Sequence, residues 1–406
     1  MPARHDEPAS SVCTLKDRVH ERVTTVQDRL VALSHAIHEN PEPAFTENKA
    51  ARWVGEELSA GGFLVEPGVG GLDTAFSATY GSGDFTVGVC AEYDALPEIG
   101  HACGHNIIAA SAVGAALGLA EVADDLGIRV KVIGTPAEEH GGGKALLLDR
   151  GVFDDVTVAM MVHPGLVDTH PSDYTSQAVT RFAVTYRGRA SHAAVAPHLG
   201  VNAADAAVIA QVAIGQLRQQ TTANCRIALF VRKGGEVTNI IPEHTIVECE
   251  VRAFDSVELK AVYQRVLACF EAGAHATGTT LDVHATEPAY TALQQDPTIG
   301  DYYADNIVGL GRELGDNGHQ VGGSTDMGNI SEVVPSIHPV IGVRGAKDAL
   351  HTRGFVQDAA SPAADEAVID GALAMAFTGA DLALDPNVRA RFVVAHQARL
   401  DCSQAR

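Results

Sequence analysis

The sequence predicts an α/β protein: a large, mostly parallel sheet domain with helices on both faces, and a smaller unit inserted into it. Apolar, β-branched runs alternate with helical patterns over roughly the first 175 residues, which is typical of strands buried on both sides. From about residue 181 to 286 the order becomes β-α-β-β-α-β. Helix and strand alternate again after residue 290, so the large domain is discontinuous in the chain.

The large domain opens with a helix, because apolar residues recur there at spacings of three and four. Two prolines follow it and end the pattern. The predicted elements of this part are, in chain order, helices over 15–39 and 46–60, a strand over 85–91, a helix over 107–123, a strand over 128–133, a helix over 144–149 and a strand over 156–162.

The inserted unit has the order of a ferredoxin-like fold. Its predicted elements are strands over 181–186, 225–232, 245–253 and 280–286, and helices over 202–218 and 257–276. The predicted domains are a large domain in two parts, 13–175 and 289–385, an inserted unit, 176–288, and a C-terminal tail, 386–406, that is a helix or a loose segment.

Composition and charge exclude several classes of protein. Of the 406 residues, 46% are apolar and 20% charged, as in globular proteins. We find neither the ~20 apolar residues in a row that cross a bilayer nor the apolar stretch of a secretory signal. The net charge of −22 repels nucleic acid. Seven scattered cysteines indicate a reducing compartment, so we expect a cytoplasmic protein without membrane or nucleic-acid partners.

The densest group of reactive residues follows the predicted strand 85–91. It contains Cys103 and His105, which can direct a thiolate and an imidazole at one point. Zinc favours this pair of ligands. Ordinary loop packing explains the pair as well, so by itself it is a weak indication of a metal site.

A second group follows the strand 128–133 and contains Glu138 and Glu139. Adjacent carboxylates repel each other unless a positive charge lies between them. A metal ion allows one to act as a ligand and the other to take a proton from water. The alternative is a solvated turn.

Two more histidines complete the candidate set. His163 ends the third apolar run, and His351 lies far along the chain. A lone histidine is more often structural, but three of these groups follow strands whose carboxyl ends should meet in one crevice. Five ligands are more than one tetrahedral ion needs, so two ions are favoured.

The ordered motifs resemble those of the dinuclear metal-dependent aminoacylases and amidohydrolases. That family includes auxin-conjugate hydrolases, p-aminobenzoyl-glutamate hydrolases and β-alanyl-lysine dipeptidases. The motifs are Cys-Gly-His at 103–105, Glu-Glu at 138–139, Val-His-Pro at 162–164, Ser-His-Ala-Ala at 191–194, Thr-Asn-Ile-Ile-Pro at 238–242 and His-Thr-x-x-Phe at 351–355. The resemblance extends from about residue 15 to 381.

The resemblance implies two divalent metal ions, zinc first, with manganese or cobalt as alternatives. Its implied ligands are Cys103, His105, Glu139, His163 and His351. It also implies that the inserted unit is a lid through which two chains form a homodimer.

The resemblance further implies roles for four residues outside that ligand set. Glu138 is the implied general base, and His192 polarises the carbonyl in the partner subunit's site. Asn239 and Arg252 hold the substrate carboxylate, which suits the planar fork of an arginine.

The expected reaction is hydrolysis of the amide bond of an N-acyl, aminobenzoyl or β-alanyl amino acid, with dipeptidase activity as the alternative. Asn106, where many relatives have aspartate, and Glu92 favour the aminobenzoyl-glutamate and dipeptidase branches. Asp94 is expected to support a ligand. Two other hypotheses stay open: Cys103 as a nucleophile with His105 as base, and an inactive protein that binds a carboxylated ligand.

Overall fold

The computed structural model describes residues 9–315 and 320–404 of the chain. The chain divides into two compact units. The first comprises Met1–Thr175, Gln294–Gly322 and Asn329–Arg406, and the second comprises Ser176–Leu293 and Gly323–Gly328. The first unit is therefore discontinuous in the chain.

Helices and strands alternate through most of the described residues. The helices are α1 (Ala9–Glu39), α2 (Asn48–Ala60), α3 (His105–Ala120), α4 (Ala123–Leu126), α5 (Gly143–Asp149), α6 (Ala203–Leu217), α7 (Ser256–Thr277), α8 (Pro297–Gly309), α9 (Met327–Ser331), α10 (Arg353–Asp358), α11 (Pro362–Leu384) and α12 (Pro386–Gln404). The strands are β1 (Leu64–Pro67), β2 (Phe76–Gly81), β3 (Phe85–Ala91), β4 (Ile128–Gly134), β5 (Val158–Met160), β6 (His163–Gly165), β7 (Tyr174–Thr175), β8 (Ala178–Arg187), β9 (Arg226–Lys233), β10 (His244–Ala253), β11 (Thr280–Ala285), β12 (Gln320–Val321), β13 (Ser336–Ile337) and β14 (Val340–Gly342).

The first unit is built on a six-stranded sheet in the order β1-β2-β4-β3-β5-β13. The pairs β4/β3, β3/β5 and β5/β13 are parallel, whereas β2 is antiparallel to both β1 and β4. All seven residues of β3 are buried, as is typical of a central parallel strand in a sheet that is covered on both faces. The predicted α/β fold class is confirmed, and the sheet is mixed at its β1/β2 edge.

The strands β1 and β2 were missed by the sequence analysis. β1 is four residues long, largely exposed, and ends in a proline. It lies at the edge of the sheet, where neither an apolar run nor strict alternation is required. The pattern that identifies buried strands therefore fails at this edge.

Helix α3 is buried along almost its whole length, from His105 to Leu119. Its small residues allow α1 and α11 to approach closely. A methyl group added at Gly114 would lie 2.7 Å from Ala372 Cβ and 2.8 Å from Leu30 Cδ1. These three helices therefore form a tight layer that fixes the N-terminus of α3, where His105 begins the helix.

Among the described residues, α11 is the one helix long and apolar enough to cross a membrane by length and composition. Within its most apolar window, 72% is buried inside the fold. Its neighbours there include α3, α1 and α8. This burial is that of a core helix.

The second unit is a four-stranded antiparallel sheet in the order β11-β8-β10-β9, with α6 and α7 packed against it. Chain order gives β8-α6-β9-β10-α7-β11, so the predicted β-α-β-β-α-β unit is confirmed. Along β10, buried and half-buried residues alternate strictly, because one face packs on the helices. Large side chains such as Phe182, Tyr186 and Phe270 fill the core of this unit.

Candidate active site

The predicted ligands of the first unit lie together beyond the carboxyl ends of β3, β4 and β5. Cys103 Sγ is 3.5 Å from His163 Nε2 and 3.3 Å from His351 Nε2. Glu139 Oε1 is 3.4 Å from His351 Nε2 and 3.9 Å from His105 Nε2. All five side chains therefore belong to one cluster.

Two backbone features bring distant parts of the chain to this cluster. His351 has a φ of 65°, a left-handed conformation that is uncommon for a residue with a side chain, and its N–H donates to Ala102 O at 2.8 Å. Gly104 has a φ of 76°, and a methyl group there would lie 2.7 Å from Pro164 Cγ. Glycine between Cys103 and His105 therefore permits the close approach of the His163 segment.

Buried hydrogen bonds fix the tautomers of two histidines. His105 Nδ1 donates to Asp94 Oδ1 at 3.0 Å, and His163 Nδ1 donates to Pro164 O at 2.8 Å. In the neutral imidazole the proton then resides on Nδ1, so each Nε2 presents a lone pair. Both Nε2 atoms lie in the cluster, as metal coordination requires.

Asp94 supports two members of the cluster. Besides His105, its Oδ2 accepts a hydrogen bond from the backbone N–H of Glu139 at 3.0 Å. Burial by itself would lower the pKa of His105, but Asp94 raises it above the ordinary value. One buried carboxylate thus orients a histidine and the turn that carries a glutamate, as groups behind metal ligands do.

Replacing Asp94 with asparagine is expected to weaken metal affinity about 10- to 100-fold, because the amide cannot accept from both donors. Competition with a chelator measures the change. Glu98→Gln is the matched control, since Glu98 is an exposed carboxylate of the same loop. Equal affinities for the Asp94→Asn protein and the wild type would contradict this support role.

Glu92 and Lys144 lie beside the cluster, although neither was predicted to be a ligand, a catalytic residue or a substrate-binding residue. Lys144 Nζ lies 2.5 Å from Glu92 Oε1, and both side chains are fully buried. Glu92 Oε2 lies 3.5 Å from His105 Nε2. Burial would raise the pKa of Glu92, but Lys144 and His105 more than offset this and hold it below the ordinary value. The spacing of Glu92 and Asp94, two apart after β3, was the available signal.

His338 is a second addition. Its ring is buried and stacks on His163 with 5.2 Å between centroids, and the ring of Tyr174 also stacks on it with 6.2 Å between centroids. Burial, with His163 adding to it, lowers the pKa of His338 to about 3. This neutral ring therefore packs behind a predicted ligand.

The donor set fits divalent cations. Among the described residues, three groups could hold an ion: Cys103 with His105 and His163; Cys103 with Glu139 and His351; and Glu92 with His105 and Glu138. The buried atoms His105 Nε2 and Glu139 Oε1 have no hydrogen-bond partner in the described chain. Orphaned buried polar atoms are costly, and a cation would satisfy both.

The electrostatics agree with this fit. Burial raises the pKa of the Cys103 thiol, and the Glu139 carboxylate raises it further. Burial also lowers the pKa of His163 to about 4, and His105 adds to this effect. A bound cation would lower the pKa of Cys103, because it favours the thiolate. The low pKa of His163 suits a ligand, because a metal ion binds the neutral imidazole.

Glu138 is buried beside the cluster, with its Oε2 4.0 Å from His105 Nε2. Asn106, in contrast, is directed into the core, where its Nδ2 donates to Ser34 Oγ and Ala359 O at 2.8 Å. Asn106 therefore contributes to the packing of α3 and does not reach the cluster.

The other predicted residues lie in the second unit. His192 and Asn239 are exposed on neighbouring segments, joined by the Ala193 N–H donating to Asn239 O at 2.9 Å. His192 Nδ1 accepts from Ala194 N and Val195 N, both at 3.2 Å, so its neutral ring has the proton on Nε2.

Arg252 is already engaged within its own unit. Its Nε and Nη2 donate to Glu250 at 2.6 and 3.0 Å, and its Nη1 donates to Ser324 Oγ at 2.9 Å. Glu250 also accepts from Arg181 at 2.6 Å. A substrate carboxylate at this guanidinium has to share it with Glu250.

A thiol, three imidazoles and carboxylates clustered at the carboxyl end of an α/β sheet define a metal-dependent hydrolase. A family profile for a peptidase dimerisation domain, M20_dimer, matches residues 174–277. The chain is 38% identical to the mouse Xaa-Arg dipeptidase, over 94% of this chain and 93% of that protein. The chain belongs to the M20 family of metallopeptidases and amidohydrolases.

Other relatives agree with this membership. The chain is 28% identical to one of the polypeptides of the p-aminobenzoyl-glutamate hydrolase of Escherichia coli, over 65% of this chain and 59% of that protein. Its fold resembles that of a Bacillus subtilis protein described as a dinuclear metal binding peptidase from the M20 family, with a TM-score of 0.67 and 22% identity over 88% of this chain and 99% of that one. The predicted resemblance and the predicted hydrolysis of amide or peptide bonds are confirmed.

Proposed function

We propose that this chain is a dipeptidase that cleaves dipeptides with a basic C-terminal residue. The observation that carries the proposal is the cluster of the five proposed metal ligands beside Glu138. The substrate class is supported by the relative named Xaa-Arg dipeptidase. A formal net charge of −22 also favours a cationic substrate over an anionic one.

The proposed cofactor is a pair of divalent metal ions, zinc first, with manganese or cobalt as alternatives. Cys103, His105, Glu139, His163 and His351 would hold them. A thiolate ligand favours the softer ion. When bound, such ions lower the pKa of water towards ~7 and polarise a carbonyl.

The remaining roles fall to residues of this chain. Glu138 takes a proton from the attacking water and delivers it to the leaving amine. His192, whose neutral ring carries its proton on Nε2, donates a hydrogen bond to the carbonyl oxygen in the partner subunit's site as negative charge develops there. Asn239 and Arg252 bind the carboxylate of the C-terminal residue.

We also propose that the chain is a cytoplasmic homodimer that acts on small molecules. The match of residues 174–277 to a peptidase dimerisation domain supports assembly through the second unit.

The test is an activity screen of the purified, metal-loaded protein. Dipeptides that end in arginine or lysine are compared with p-aminobenzoyl-glutamate and with N-acetyl amino acids, and the released amino acid is quantified. We expect the highest kcat/KM for the basic dipeptides. N-acyl and aminobenzoyl amino acids are the second candidate because of the Escherichia coli relative. Preference for the glutamate conjugate would overturn the proposed substrate class.

Arg252→Met is expected to raise KM about 10- to 100-fold with a smaller effect on kcat, because a bidentate charged contact with substrate is worth roughly 1.5 to 3 kcal/mol. Steady-state kinetics on an arginine dipeptide measure both constants. Arg181→Met is the control, since it also removes an arginine from Glu250 and leaves Arg252 in place. An equal rise in KM for both variants would show that the ion network, and not Arg252, is responsible.

A further inference from the structure

We propose that Glu47 is a positioning residue that holds the turn bearing Glu138 and Glu139 in its working conformation. The proposal rests on the function proposed above, because it is through these two glutamates that Glu47 would affect the reaction. Glu47 lies in the short loop before α2, about 90 residues away from the turn in the chain.

The contact is direct and buried. Glu47 is fully buried, and its Oε1 accepts a hydrogen bond from the backbone N–H of Ala137 at 2.9 Å. Ala137 has a φ of 62°, a left-handed conformation that disfavours any residue with a Cβ. Its carbonyl accepts from Gly142 N at 2.9 Å. Hydrogen bonds therefore fix both the N–H and the carbonyl of Ala137, and Glu47 accepts the one from the N–H.

The position of Glu47 makes this use of a carboxylate unusual. Glu47 is the residue before α2, a position from which short polar side chains commonly cap the first N–H groups of a helix, but the side chain of Glu47 makes no such bond. Glu42 does so instead, because its Oε2 accepts from Lys49 N at 2.8 Å and Ala50 N at 3.1 Å. The Glu47 carboxylate is thus available to the turn across the loop.

Burying Glu47 is unfavourable by itself. Burial, and then the negative charge of Asp94, raises the pKa of Glu47 to about 7. A neighbouring residue adds a second contact between the same segments: a methyl group at Gly141 would lie 2.4 Å from Phe45 Cε2. The loop therefore packs on the turn at two points, with a hydrogen bond at one and an aromatic ring at the other.

The turn is anchored on each side of Glu138. Glu47 holds the N–H of Ala137, and Asp94 holds the N–H of Glu139 at 3.0 Å. Two buried carboxylates thus fix the backbone N–H groups of the residues directly before and after the proposed general base. Because a misplacement of about 1 Å can reduce a rate roughly 100-fold, loss of either anchor should affect catalysis.

The decisive comparison is between Glu47→Gln and Glu47→Met. The two side chains are similar in size, but only glutamine keeps an oxygen that can accept from Ala137 N. We expect Glu47→Met to lower kcat about 10- to 100-fold with little change in KM, and Glu47→Gln to retain most of the wild-type kcat. Glu42→Met is the control, because it removes a carboxylate from the same loop without touching the turn.

Amide hydrogen exchange gives a readout that does not depend on turnover. In Glu47→Met, exchange at residues 137–139 should accelerate, whereas Glu47→Gln and Glu42→Met should exchange there like the wild type. The proposal is overturned if Glu47→Met keeps its kcat, if Glu47→Gln loses as much as Glu47→Met, or if Glu42→Met has the same effects. Should the wild type cleave no dipeptide, the proposed function fails, while the exchange comparison still decides the role of Glu47.

Discussion

Replacing Glu138 with glutamine is expected to lower kcat by a factor of about 10² to 10⁴ while the protein keeps its metal, because glutamine cannot take a proton from water. The two side chains have nearly the same volume, so the turn should keep its conformation. Steady-state kinetics on an arginine dipeptide measure the loss, and elemental analysis measures the metal content.

Glu139→Gln is the matched control for this variant. Glu139 lies 3.4 Å from His351 Nε2 and is one of the five proposed metal ligands, whereas Glu138 is the proposed base, so loss of Glu139 should reduce both metal content and turnover. Only Glu138→Gln should lower turnover while leaving the metal content unchanged. Near-wild-type turnover in Glu138→Gln would show that Glu138 is not the general base.

The surroundings of Cys103 disfavour the alternative in which it acts as a nucleophile. Activated cysteines have a lowered pKa, whereas burial and Glu139 raise that of Cys103. Two further imidazoles, those of His163 and His351, face the sulfur, whereas a nucleophilic cysteine needs only one general base. Chelation that abolishes turnover, with recovery on adding metal back, separates the ligand role from the nucleophile role.

Much of the candidate site could be predicted because parallel strands end at one edge of a sheet. Cys103, Glu139 and His163 follow β3, β4 and β5, and the parallel pairing of these strands brings their carboxyl ends together. His351 follows no strand of that sheet. Its place depends on a left-handed backbone and a hydrogen bond to Ala102, neither of which has a sequence pattern, so the strand argument that groups the other ligands does not explain its position.

What the sequence analysis missed depends on contacts between distant residues. Lys144 is in the first turn of α5, and nothing in the local pattern indicates that its ammonium is buried against Glu92. In the second unit a local signal did exist. Glu250 and Arg252 are two residues apart on β10 and so share a face, and Arg181 is directly opposite Glu250 on β8. The engagement of Arg252 could therefore have been expected once β10 was predicted.

Replacing Lys144 with methionine is expected to reduce the free energy of unfolding by about 3 to 5 kcal/mol, because it leaves Glu92 buried without its counter-charge. Chemical denaturation of the wild type and the variant measures the difference. Lys233→Met is the control: its ion pair with Glu236 is exposed to solvent, so its loss should change the free energy of unfolding far less than the loss of Lys144 does.

The pH dependence of this difference in the free energy of unfolding tests the pair of Glu92 and Lys144. In the wild type the pKa of Glu92 lies below its ordinary value of 4.5, so its contribution to stability is present above that pH and is lost as the pH falls through the lower value. Without Lys144, burial should raise the pKa of Glu92, and the variant then loses stability as the pH rises above about 4.5. The difference in the free energy of unfolding between the wild type and Lys144→Met should therefore increase with pH. A difference in the free energy of unfolding that stays constant with pH would mean that Lys144 stabilises the fold by packing and not by its charge.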